Sequence, residues 1–109
     1  MLTIDIHHGK PTVDTAISNL LSQIKLFKSQ KQKALCIITG YGSLSGKHKI
    51  KSATIEILMD LKTKNQIKDF IKGEDIDIFS NTYHLFKYKE LITEDIKRKP
   101  NPGFIVVIL

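Results

Sequence analysis

Leu2, Ile4 and Ile6 alternate with Thr3 and Asp5, the two-residue period of a half-buried strand, and predict a short first strand over Leu2 to Ile6. The period then changes. From Thr12, a residue type suited to capping a helix, the apolar positions Val13, Ala16, Ile17, Leu20, Leu21, Ile24 and Phe27 recur at helical spacing. Lys25, Lys28, Lys31 and Lys33 gather towards its end, where the helix dipole favours cations. The run ALCII, Ala34 to Ile38, is short, continuous and β-branched, as in a strand buried on both faces. Strand, helix and strand form a βαβ unit with a right-handed crossover.

A second amphipathic helix is predicted from about Ile50 to Lys64, burying Ile50, Ala53, Ile57, Leu58 and Leu61. Short apolar pieces follow at Ile67 to Ile71 and Ile76 to Phe79, and the first is assigned to a strand. Thr82 to Asp95, with Leu85, Tyr88, Leu91 and Ile92, reads as one helix or two turns. The chain closes on FIVVIL, Phe104 to Leu109. Six apolar residues there are expected inside a sheet, because an exposed strand of that kind invites aggregation. Residues 1–109 suffice for one hydrophobic core and not two, and no linker, repeat or low-complexity tract divides them. The expectation is a single α/β domain with two main helices on a sheet of about four strands.

Composition adds limits. No stretch approaches the roughly 20 apolar residues of a membrane span, and no basic, apolar, small-residue signal peptide opens the sequence. The only cysteine, Cys36, sits in a predicted core strand, where it acts as a small hydrophobe in a reducing, cytoplasmic setting. The net charge is +6, almost all from lysine in an isoleucine-rich chain, a bias that an AT-rich genome produces without any ligand. Its distribution says more. Residues 1–55 hold eight lysines against Asp5 and Asp14, 8 − 2 = +6, whereas residues 56–109 hold nine basic and nine acidic residues, 9 − 9 = 0. Such asymmetry suggests a basic face that attracts phosphates, weighed against a merely solvated lysine surface.

The charged half also contains TGYGSLSGKHK, Thr39 to Lys49, between a predicted strand and a predicted helix. Backbone N–H groups at a helix start can meet an anion there. A nucleotide-triphosphate loop would need GxxxxGK[ST]; Gly40 to Gly46 is one residue too long, Gly42 to Gly46 is too short, and His48 follows Lys47. A triphosphate site is therefore rejected. The plainer alternative is that the glycines only turn the chain. The combination of Thr39, Gly40, Tyr41, Gly42 and Ser43 with Lys47, Lys49 and Lys51 favours phosphate contact, with Tyr41 either stacking on a base or packing on the second helix.

The stretch IDIHHG brings Asp5, His7 and His8 to the end of the first strand, and ligands of parallel βαβ sheets bind at the C-terminal edges of strands. Adjacent histidines do not normally share one metal ion, and no further cysteine or histidine motif completes a shell. Neither a metal nor a cofactor is expected. A histidine with a carboxylate nearby suits general acid or base work instead.

Ile4-Asp5-Ile6-His7 with Gly9, a helix, a strand running into Thr39-Gly40-Tyr41-Gly42, a basic helix start, and Asn101-Pro102-Gly103 before a last apolar strand resemble, over essentially the whole chain, the Smr domain, the small MutS-related domain. The family's first motif is Leu-Asp-Leu-His-Gly and its second His-Gly-x-Gly. The resemblance implies a βαβα two-layer sandwich like the C-terminal domain of translation initiation factor three, binding to DNA or RNA in repair or RNA processing, and in several members endonuclease activity. It assigns nuclease chemistry to Asp5 and His7, and Gly40 and Gly42 to the second motif. Two departures stand out. His8 separates His7 from Gly9, so either histidine can fill the family position, and Thr39 replaces the second-motif histidine. A threonine hydroxyl can hydrogen-bond a phosphate but cannot take a proton as imidazole does. The competing readings are a weak nicking endonuclease, a binder without hydrolysis, and an assembly module docking an acidic surface on a ribosome or repair complex, or pairing as a homodimer through the terminal strand.

Overall fold

The computed structural model describes residues 2–7, 9, 11–40, 49–76 and 103–109. The elements are β1 (Thr3–Asp5), α1 (Val13–Ser29), β2 (Ala34–Ile38), α2 (Lys49–Thr63), β3 (Asp69–Lys72) and β4 (Phe104–Ile108). The four strands form one sheet in the order β1-β2-β4-β3. β1 lies parallel to β2, and β4 runs antiparallel to both β2 and β3. The chain is thus a small α/β domain of two helices and a four-stranded mixed sheet, as the apolar periods predict. The expected helical stretch from Thr82 to Asp95 and the apolar piece beyond Ile76 lie outside the described residues.

Each helix starts and stops for a local reason. The Thr12 hydroxyl accepts the Thr15 N–H, satisfying one of the free donors of the first turn of α1. Both helices then end alike. Lys31 and Asn65 take the left-handed conformation at φ 59°, with Gln32 N–H donating to the Phe27 carbonyl and Gln66 N–H to the Leu61 carbonyl, the bond that closes a helix C-terminus.

The sheet face under the helices carries Leu35, Ile37, Ile105 and Val107, packed with Ala16, Leu20 and Ile24 of α1 and Leu58 and Leu61 of α2. The opposite face carries Cys36, Ile71, Phe104, Val106 and Ile108, likewise buried. Alternation along β4 therefore feeds two apolar layers, and this is why FIVVIL contains no polar residue. In α2 the buried stripe runs through Thr54, Leu58 and Leu61, with Ile50 and Ile57 half-buried and Ala53 beside it. Thr54 is tolerated because its hydroxyl donates to the Ile50 carbonyl at 2.7 Å.

One expectation is corrected here. β4 is flanked by β2 on one side and β3 on the other, so its backbone groups are already used and it offers no edge for a second copy. A homodimer across the terminal strand has no place in this sheet.

Candidate nucleic-acid interface

β1 and β2 are parallel, so their C-terminal ends emerge side by side, and the Gly103 turn that opens β4 meets them. Asp5, His7, Thr39 and Gly40 come to this one rim. Ile6 N–H donates to the Ile38 carbonyl at 3.1 Å, carrying the ladder one step past β1 before the chain turns away. The Asp5 carboxylate then accepts the backbone N–H of His7 at 2.9 Å. Asp5 therefore holds the main chain of residue 7.

Gly40 seats the ring. It adopts φ +77°, and a Cβ placed there would lie 2.9 Å from His7 Cδ2, 3.0 Å from Cγ and 3.1 Å from Nδ1. Only a residue without a side chain lets the imidazole lie that close to the β2 backbone, in a backbone conformation that L residues avoid. Gly9 contrasts with it. It too has φ +77°, yet a Cβ there would meet nothing within 4 Å, so its requirement is the turn alone.

Thr39 and Gly40 are fixed from the other side. The Gly103 carbonyl accepts the Thr39 N–H at 2.8 Å and the Gly40 N–H at 3.1 Å, and the Thr39 hydroxyl at 3.3 Å. Thr39 is 2% exposed. Its hydroxyl is committed inward and not offered to a phosphate, and the Gly40 amide is likewise engaged with protein. Asn-Pro-Gly was legible only as the stop before the last strand; that the Gly103 carbonyl gathers three donors could not be read from it, because the contact joins positions 64 residues apart in the chain.

Lys49 and Lys51 open α2. Lys49 is exposed, whereas Lys51 is largely covered and ion-paired with Glu74, in the single turn Gly73–Asp75 after β3. Partial burial pushes the Glu74 carboxyl up, but the Lys51 hydrogen bond, its own backbone N–H and the charges of Lys51 and Lys72 outweigh this and hold it below the usual range. The Glu74 carboxylate stays charged at neutral pH. Nothing in the composition distinguished these two lysines; only the position of Glu74 does. His8, Tyr41, Gly42, Ser43 and Lys47 lie outside the described residues.

Among the described residues, the lysines of the N-terminal half do not form one face. Lys49 and Lys51 lie towards the rim, while Lys28, Lys31 and Lys33 follow the far end of α1, one strand length away along β2. Among the described residues no group of three His, Cys, Asp or Glu side chains is arranged to hold a metal ion, and no helix is long and apolar enough to cross a membrane.

No family model matches the sequence, and no curated protein does. The tertiary structure is decisive for the fold. It superposes on the crystal structure of the Smr domain of Thermus thermophilus MutS2 with a TM-score of 0.62, covering 100% of this chain and 98% of that one at 15% sequence identity. The chain has the Smr fold. At that identity the likeness concerns architecture, so the chemistry of the Smr-like rim has to be argued from its own residues.

The rim makes one structural prediction. Gly40→Ala is expected to lower unfolding stability by about 1–2 kcal/mol from backbone conformation alone, and to push the His7 ring off β2. Heteronuclear NMR would register this as large changes in the His7 ring resonances beside small changes in the helices. Unaltered His7 ring shifts in a destabilised Gly40→Ala variant would mean that the ring is not held by this contact.

Proposed function

We propose that this chain is a nucleic-acid-binding module of the Smr type, whose rim holds His7 as its one described imidazole, placed for proton transfer on a phosphodiester. The observation that carries the reading is the seating of the His7 ring against Gly40, with its backbone held by Asp5. An imidazole fixed against Gly40 at a strand end, with the exposed Lys49 at the start of the helix that follows that strand, is an arrangement for presenting a proton donor or acceptor to a phosphate. In this mechanism Lys49 and the N-terminal turn of α2 draw the phosphate to the rim, and His7 takes the proton from an attacking oxygen or supplies one to the leaving oxygen. Asp5 acts through the backbone of residue 7.

Binding is the principal activity and nicking a slow accompaniment. Thr39 supports that order, since its side chain is buried and supplies no second imidazole to divide acid and base roles with His7. DNA repair and RNA processing are both settings in which such a module would serve, in the cytoplasm if reduced Cys36 is a guide.

The test is salt-dependent affinity for a labelled single-stranded RNA and a labelled DNA duplex, read by fluorescence anisotropy. Lys49→Ala is expected to flatten the slope of log affinity against log salt by about 0.7 to 0.9, the value of one phosphate contact. Lys51→Ala should flatten it less, because its charge is already engaged by Glu74. Affinity insensitive to salt for both ligands would refute the proposal.

A further inference from the structure

A concave surface lies at the opposite end of the helices from His7 and Gly40. Leu21, Ile24, Lys25 and Lys28 of α1 face Leu61 of α2 and Gln66 of the following turn across an open groove of about 290 Å³. Its floor is aliphatic: Ile24 and Leu61 are nearly buried, and Leu21 at the lip is 40% exposed. Lys28 Nζ donates to the Gln66 carbonyl at 2.6 Å, bracing one wall between the helices. Lys25 is exposed and enters no ion pair among those of the described residues.

Lys25 and Lys28 line the groove, and the chain segments that supply its lining are one-sided in charge. Residues 21–33 contribute Lys25, Lys28, Lys31 and Lys33 and no acidic residue, and residues 58–69 contribute Lys62, Lys64 and Lys68 against Asp60 and Asp69, so 7 − 2 = +5. Both acidic groups are already neutralised, Asp60 by Lys64 and Asp69 by Lys62. Both helices also end here, but the partial negative charge of a helix terminus offsets only part of an excess this size.

We infer that this groove docks an acidic amphipathic peptide helix, whose leucine-like side chains enter between α1 and α2 and whose carboxylates meet Lys25 and its neighbours. Aliphatic anchors in an aliphatic groove with a charged rim are the usual terms of helix-in-groove recognition. The same lysines would attract a nucleic-acid backbone, but among the described residues the lining holds no aromatic ring on which a base could stack, and an unstacked base gains little from Leu21, Ile24 and Leu61. The peptide is therefore the better fit. This surface is separate from the rim, so the two could be occupied together by a nucleic acid and a protein partner.

The experiment uses the full chain, isotope-labelled, titrated with a synthetic helical peptide of about 15 residues that carries leucines at helical spacing flanked by glutamates. Amide shifts are expected at Leu21, Ile24, Lys25, Lys28, Leu61 and Gln66, with those of His7 and Gly40 unmoved. Lys25→Glu, an exposed change that leaves the spectrum of the free protein otherwise intact, should weaken binding by about fivefold, and replacing the peptide's leucines by serine should abolish it. Absence of shifts at millimolar peptide would overturn the proposal. So would equal binding of a lysine-flanked peptide, or a single-stranded RNA that moves the same amides at lower concentration.

Discussion

Under the proposed mechanism, His7→Ala is expected to lower nicking of labelled RNA or DNA by about 10²- to 10⁴-fold, the usual loss when a positioned acid or base is removed. Affinity should change by less than about twofold, because a group needed chiefly in the transition state contributes little to ground-state binding. Asp5 separates two ways in which His7 could depend on it. Asp5→Asn keeps an oxygen that can accept the His7 N–H, so it should preserve most of the rate if the carboxylate only holds the backbone. Asp5→Ala frees that N–H and should fall towards His7→Ala. If Asp5→Asn is as damaging as His7→Ala, the negative charge itself takes part and the backbone reading fails. Nicking that survives both His7→Ala and His8→Ala would take the chemistry away from the first motif altogether.

The largest effect on stability should come from Ile105→Ala, at about 2–5 kcal/mol. Ile105 is fully buried, opposite Ile37 on β2 and Lys72 on β3, and packs into the layer beneath both helices. Removing its side chain opens a cavity where two strands and two helices meet, and the β4 backbone cannot collapse into it without breaking ladders on both edges. Domains of this size have about 5–15 kcal/mol in all, so urea unfolding should show a large drop in midpoint with little change in slope. Met59→Ala, on the exposed face of α2 at 57% exposure, should stay within about 0.5 kcal/mol of the unsubstituted protein. Similar losses at the two positions would deny β4 its central place.

The sequence by itself determined the elements and, through their order, most of the fold. Two-residue alternation at Leu2 to Ile6, the helical stripe from Val13 to Phe27 and the unbroken apolar runs ALCII and FIVVI are local consequences of which faces must be buried, and each element appears within a residue or two of where its pattern placed it. The same patterns put Asp5, His7, Thr39 and Gly40 at strand ends, hence at one rim once β1 and β2 were parallel. What tertiary structure alone decided was how those residues face one another. His7 lies on Gly40, Thr39 and Gly40 are both held by the distant Gly103 carbonyl, and Lys51 is held by Glu74 while Lys49 is exposed. The groove between α1 and α2 belongs to the same class, since Lys25 and Leu61 become neighbours of one cavity only when the helices pack. Periodicity reports whether a side chain points in or out, because burial is a property of each position taken singly. Partnership between residues far apart in the chain depends on register and crossing geometry, which no local pattern carries.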